Sequence, residues 1–554
     1  MKNYIVQGKK WGLAFVACAA LASCASELDQ RPQNFVDEDI LSILNSDKTQ
    51  DQEKKDVIIQ ALCANLESNF RLNGNYNGYS GNAINSINGQ EIMLGSRAND
   101  IVVGALNNST SSSFYLTMYD LDPTFQPWRD DQGKTGYNYA YWALPCNALT
   151  NANKVLSLVT GEIAEKGTEK VKNGRAAALC VRAYAYMTLM ERYQPAYLQG
   201  GKGGEGMPIY TTYGINDPVA PSTSDATYQF INQDLDEAIA LFKEAGTEDG
   251  GYTVGTTNDI DLGVAQYLKA RVAMWTGNYT AAISACNDIL AHYPNFIAEA
   301  NYGVKQQDFD ALQAEEKEAM AEDNAFCSIS KNPECILGWV DGNGASTYYY
   351  GNFNPFSGDG TGTNLVFMRT DDRLYNQIDD NDFRKDNTLP TDKEFTYFLN
   401  KDTHTLHAYT NMKWGATICL QQTARSQHSN TDQPYIRSSE IVLMLAEAYA
   451  EAGQDAQAKA TLNTLLAART KAGAPTLTCD NYKGGLAIKD LIKLQWRIEM
   501  WGERGLEFLN AKRWGQTIDR SGSTIHWRTG SLDQKYMTYE VPMEEYNFNA
   551  GWGR

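Results

Sequence analysis

Apolar residues recur at three- and four-residue intervals along much of the chain, the period of helices with one buried face. The pattern predicts helices over 52–70, 137–160, 171–193, 225–244, 261–276, 279–292, 437–452, 455–470 and 487–513. Between them run polar stretches rich in Gly, Asn and Tyr, at 71–135, 196–223 and 326–435. Structureless loops longer than about 15 residues are uncommon in compact domains. These stretches are therefore expected to carry short strands and hairpins, and function concentrates in such segments.

Two helix pairs share a layout. Ala270, Trp275 and Gly277 are followed by Tyr279, Ala282, Leu290 and Pro294. A second copy runs from Ala446 and Tyr449 through Gly453 to Ala456, Ala458, Leu462 and Leu465. A helix, a Gly turn and small residues where two helices cross make the tetratricopeptide pattern, which an aromatic and a closing Pro complete in the first copy. The copies lie far apart, so insertions interrupt the scaffold. The expected fold is mostly α: a tetratricopeptide-like α-α superhelical scaffold with a variable loop-rich region carrying short strands. Scaffold helices are expected at about 137–193, 225–292 and 437–514, and variable regions at about 71–135 and 326–435.

The first residues bear on the compartment. Lys2, Lys9 and Lys10 precede an apolar stretch from Trp11 to Ala22. That is signal-peptide length and too short to span a bilayer. It runs into Leu21-Ala22-Ser23-Cys24, the layout that lipoprotein processing needs. Cleavage before Cys24 and acylation at that residue would give a stable lipid anchor. The bland reading is a cleaved signal followed by a chance Cys. The expected organisation is a signal peptide over 1–23, a lipidated tether and lead-in over 24–50, and a single domain over 51–554.

Apolar residues make up 43 % of the 554, a globular composition. The net charge is −19, and removal of the signal takes away three lysines and no acid. With no basic run to offset it, that charge argues against nucleic acid as a partner. Beyond Cys18 and Cys24 the cysteines are scattered and none forms C-x-x-C, so zinc and thioredoxin-like chemistry lack support. Cys327 and Cys335 leave a bridge open, which spacing alone does not decide.

Catalytic patterns are mostly missing. There are five histidines, no H-E-x-x-H and no G-x-S-x-G. His404 and His407 lie in a polar stretch with no evident carboxylate partner. Gly133-Lys134-Thr135 imitates the end of a phosphate loop, but Trp128 stands where the first Gly belongs. Asp379-Asp380-Asn381-Asp382 has the oxygen density of a calcium loop without its Gly and distal Glu; a solvated acidic turn and a structural calcium are the two readings. No other cofactor is implied. Paired carboxylates for glycoside hydrolysis carry no information among 67 acidic residues.

The positive feature is aromatic residues set among polar ones. Tyr76 and Tyr79 sit in an Asn/Gly run, Trp128 precedes Arg129, and Trp339 precedes Asp341, with Tyr348, Tyr349, Tyr350 and Asn352 beyond. A sugar ring has an apolar C–H face and a rim of hydroxyls. A flat aromatic covers the face at little entropy cost, while Asn, Asp and Arg take the hydroxyls. The bland reading is that each ring packs its own loop.

The C-terminal third carries a more specific pattern. It reads Pro434, Arg437, Glu440, Ala446-Glu447-Ala448, then Asn463 and Arg469, then Arg497, Glu499, Gly502-Glu503, Gly505 and Lys512-Arg513-Trp514, and ends in Val541-Pro542, Glu545 and Asn549-Ala-Gly-Trp552. With Tyr141, Asn147, Asn153 and the lipobox, this resembles the SusD/RagB family over nearly all of the mature chain. Glu507 and Asn510 depart from the family's usual Arg and Asp, and the closing segment is shortened. The resemblance implies an outer-membrane, surface-exposed lipoprotein that acts as a lid on a SusC-like TonB-dependent transporter and has no enzymatic activity. Glycan is the ligand it implies first and peptide second. A helical scaffold without a small ligand, and a surface glycosidase, are readings from other classes. In the family the ligand face comes from loops before the first scaffold helix and from the central insertion. That places Trp128, Arg129, Trp339, Asp341, Tyr348, Tyr349, Tyr350 and Asn352 first, with Tyr76 and Tyr79 second.

Overall fold

The computed structural model describes residues 42–46, 48–64, 66–72, 87–104, 121, 136–214, 217–246, 250–255, 257–308, 311, 323–340, 367–396, 403–415 and 432–553. The chain divides into two compact units, 1–62 and 63–554. In the first, the helix that starts at Gln52 is the main described element.

The second unit is a succession of packed helices. They are α1 (Ile87–Ser96), α2 (Gly136–Leu158), α3 (Glu169–Tyr193), α4 (Ser224–Ala245), α5 (Leu262–Thr276) and α6 (Tyr279–Leu290), followed after a long insertion by α7 (Ser438–Glu451), α8 (Asp455–Ala468), α9 (Ile488–Glu499) and α10 (Leu506–Arg513). Each scaffold helix packs on the next: α2 on α3, α3 on α4, α4 on α5, α5 on α6, α6 on α7 and α7 on α8. The insertion between α6 and α7 therefore leaves the stack continuous.

Local signals set the helix ends. The Asp261 carboxylate caps α5 by accepting from the Val264 N–H, and Asn278 caps α6 by accepting from Ala281. Between the two helices Gly277 adopts φ 77°, a left-handed turn that glycine makes without a steric penalty. Ala270, Ala273, Ala282 and Ala285 are all buried, small enough to let the helices approach closely.

The expected helix over 487–513 is two helices. Gly502, Arg504 and Gly505 all have positive φ, and the chain turns there. The turn brings Glu499 and Glu503 to the same guanidinium, that of Arg437. Among the described residues no helix is long and apolar enough to cross a membrane. Cys327 and Cys335 are both buried free thiols.

The loop-rich regions carry short antiparallel pairs, as their length required. In chain order the strands that matter for the site are β1 (Ile101–Gly104), β2 (Cys335–Trp339), β3 (Phe367–Thr370), β4 (Gln433–Arg437), β5 (Ile518–Asp519) and β6 (Ser531–Leu532). β1 pairs with β3, β2 with β4, and β5 with β6.

A buried ionic network ties this half to the scaffold. Arg437, at the end of β4, reaches Glu334, Glu499 and Glu503 at 2.8, 2.6 and 2.7 Å. Arg469, just after α8, reaches Glu334 and Glu499 at 2.6 and 2.9 Å. Arg384 joins Glu499 to Asp382, and Lys413 lies 2.5 Å from Glu503. Four cations thus face four carboxylates in the interior. Burial alone would raise the Glu499 carboxyl; Arg469, Arg437 and Arg384 outweigh it and hold that group well below the usual carboxylate range.

Candidate functional site

The β1–β3 register decides how the two main insertions are joined. Ile101 faces Thr370 and Gly104 faces Phe367. Paired strands place such residues about 5 Å apart. Gly104 is where the chain enters the stretch containing Trp128, and Phe367 is where it returns from the stretch containing Tyr348 to Asn352. The β2–β4 pair does the same at the other root, setting Trp339 against Gln433. Each of these two separate strand pairs thus brings together segments far apart in sequence.

Tyr76, Tyr79, Trp128, Arg129, Asp341, Tyr348, Tyr349, Tyr350, Asn352 and the lipidation candidate Cys24 lie outside the described residues. Trp339 is described, and its expected role needs correction. Its side chain is 2 % exposed, with the Arg71 guanidinium 4.8 Å above the ring and the Tyr435 ring 5.5 Å away. All five β2 residues are buried, so alternation along the strand does not turn one face to solvent. Trp339 is a packing residue at the root of the insertion. The next residue, Val340, is 73 % exposed.

The other root of the Trp128 stretch is the start of α2. Asn138 there donates to the Glu540 carbonyl at 2.7 Å, and its own carbonyl accepts from the Tyr193 hydroxyl at 3.1 Å. Beside this joint lies a pocket of about 520 Å³ lined by Tyr193, Tyr539, Tyr546, Glu205, Glu540 and Asn547. Rings with carboxylates and an amide suit a polyhydroxylated ligand. Sequence reasoning missed this pocket, because its lining comes from the end of α3, the strand at Glu205–Pro208 and the C-terminal segment.

The acid-rich turn at 379–382 spends its oxygens on protein donors. Asp379 accepts from the Asn381 and Lys483 N–H groups, Asp380 pairs with Lys385 at 2.6 Å, and Asp382 with Arg384 at 2.5 Å. Among the described residues no group of three or more His, Cys, Asp or Glu side chains is placed to hold a metal ion. His407 does have a carboxylate neighbour, Asp392 at 3.5 Å.

The C-terminal pattern is structural. Glu440 pairs with Arg504, Glu447 takes both Arg513 and the Trp514 indole N–H, and Glu545 accepts from Trp142 and Trp552. These residues hold the scaffold together.

Stacked helix pairs define a helical-repeat protein of the tetratricopeptide type, and residues 264–295 match the tetratricopeptide repeat model. The chain belongs to the SusD family: residues 296–551 match the SusD family model, and residues 45–250 match one described as starch-binding associating with outer membrane. No curated protein matches it in sequence. Among solved structures it is similar to a SusD-like carbohydrate binding protein from Bacteroides vulgatus, with TM-score 0.62 and 19 % identity over 90 % of this chain and 97 % of that one. It is also similar to surface glycan-binding protein A from Bacteroides thetaiotaomicron in complex with laminarihexaose, with TM-score 0.58 and 16 % identity over 90 % and 98 %. At these identities the likeness is one of fold.

Proposed function

We propose that the protein is a cell-surface glycan-binding lipoprotein of the outer membrane. It is anchored through Cys24 after removal of residues 1–23, and it passes captured oligo- or polysaccharide to a SusC-like TonB-dependent transporter. It performs no chemistry on the glycan. The observation that carries the reading is the Gly104–Phe367 pairing, which gives the two aromatic-rich insertions a common root. Trp128, Arg129, Asp341, Tyr348, Tyr349, Tyr350 and Asn352 are the ligand residues of this reading, with Tyr76 and Tyr79 behind them. The relative solved with laminarihexaose supports a glycan as the ligand class.

Affinity gel electrophoresis against plant, fungal and host polysaccharides tests this, with Trp128→Ala run beside the parent. Retardation of the parent by one glycan, relieved in the variant, is the expected result. A parent that migrates freely through every polysaccharide overturns the reading.

A further inference from the structure

The hairpin β5–β6 carries an aromatic that the sequence reading did not single out. Trp527, in the tip between Arg520 and Gly530, is 38 % exposed, and among the described residues it is the one tryptophan more than about a third exposed. Its indole N–H donates to the Val103 carbonyl at 2.7 Å. Val103 immediately precedes Gly104, so the ring stands at the joint of the two insertions.

The tip is held rigidly against the sheet. His526 lies 3.2 Å from the Asp371 carboxylate and 2.8 Å from the Asn99 carbonyl. The Thr524 hydroxyl donates to Asp372 at 2.6 Å, and Arg369 donates to the Ile525 carbonyl at 3.3 Å. Arg373 donates to the Ser521 carbonyl at 3.1 Å, and the buried Arg520 to those of Ser96 and Ala98. His526, the Thr524 hydroxyl and Arg520 thus tie the tip to the sheet. The indole is held by its N–H while part of its surface stays exposed, and the Arg528 guanidinium lies over the ring, 5.0 Å from its centroid.

We propose that Trp527 is a stacking surface for a sugar ring, which takes the place of the Arg528 guanidinium over the indole, and that Arg528 then donates to the sugar's hydroxyls. This rests on the glycan reading above and adds a subsite formed entirely by the β5–β6 hairpin. A preorganised ring gives contact area without the cost of ordering a side chain on binding. An anchored ring is also directional, since the bond to Val103 fixes which part of the indole meets the ligand.

The test uses the full chain in mild detergent and the polysaccharide panel, with starch and laminarin included. Trp527→Ala is expected to weaken binding about tenfold, equivalent to ~1.4 kcal/mol, in a chain that remains folded at the assay temperature. Trp527→Phe, which keeps a ring and loses the anchor, is expected to retain most of the affinity. Oxidative footprinting of the parent checks the same point without a variant: glycan should protect the Trp527 peptide from oxidation. Trp527→Ala binding within twofold of the parent, or an unprotected Trp527, overturns this subsite and leaves the glycan reading standing. A parent that binds no polysaccharide overturns both.

Discussion

Arg469 and Glu499 meet in the interior at two points: Nε lies 3.0 Å from Oε2, and Nη2 lies 2.9 Å from Oε1. Both side chains are fully buried, and the same carboxylate also serves Arg437 and Arg384. Removing one partner leaves a charge uncompensated in a medium that solvates it poorly. Glu499→Gln and Arg469→Ala should each cost about 3–5 kcal/mol, measurable by chemical denaturation.

The same network fixes the acid limit. Burial opposes ionisation of Glu499 and Glu503, but their cations prevail and both groups titrate below the ordinary value. A depressed carboxyl contributes stability that is present above its unfolded pKa, 4.5 for glutamate, and is lost as pH falls through the folded value. The thermal midpoint should therefore drop steeply below about pH 4.5, as expected for carboxylates whose native state favours ionisation. A midpoint flat down to pH 3 would refute this.

Glu507 behaves in the opposite sense. Burial pushes its carboxyl up to about 8, against the pull of the Gly502 N–H, which donates to Oε1 at 2.6 Å; Oε2 has no hydrogen-bond partner among the described residues. A raised acid contributes stability that is present below its unfolded pKa and lost as pH rises through the folded one. Glu507→Gln keeps the neutral form at every pH. Near pH 5 its midpoint should lie close to the parent's, and near pH 9 it should exceed it. Parallel curves for the two proteins would rule out this origin.

Gly505 holds φ 66° at the start of α10, and a Cβ there would sit 2.7 Å from the Glu91 carbonyl oxygen and 2.7 Å from the Leu94 Cβ. Gly505→Ala combines left-handed strain with overpacking against α1. It should destabilise the fold by about 2–4 kcal/mol, a loss that equilibrium unfolding would detect.

Trp339 and Trp128 should separate packing from recognition. Truncating the buried Trp339 should cost about 3–5 kcal/mol. Its indole N–H has no acceptor among the described residues, so Trp339→Phe should be far milder and should leave glycan affinity intact. Trp128→Ala should do the reverse, lowering affinity at constant stability. Equal loss of binding in Trp339→Phe and Trp128→Ala would return Trp339 to the ligand face.

Much of the scaffold was legible because its signals are local. Helical periodicity located α2 to α8 to within a few residues, and Gly277 with Asn278 marked a turn before any contact was known. The C-terminal pattern was legible for a related reason. Arg437, Glu440, Glu447, Arg469, Glu499 and Glu503 are charges in a low-dielectric interior, where each needs its partner. The break at 500–505 was passed over although Gly502 and Gly505 stand there, because glycine inside an apolar helical pattern does not by itself end a helix, and the positive φ at Gly502, Arg504 and Gly505 appears only in the structure.

The sequence by itself determined the helical class, the family pattern and the aromatic-rich insertions. These depend on spacing along the chain and on side-chain chemistry that is read one residue at a time. Tertiary structure alone decided which aromatics face solvent. Trp339 and Trp527 both border polar stretches in the sequence, yet one is enclosed by Arg71 and Tyr435 while the other is held at the surface by the Val103 carbonyl. Exposure depends on what packs against a ring from elsewhere in the chain, and strand register sets those neighbours.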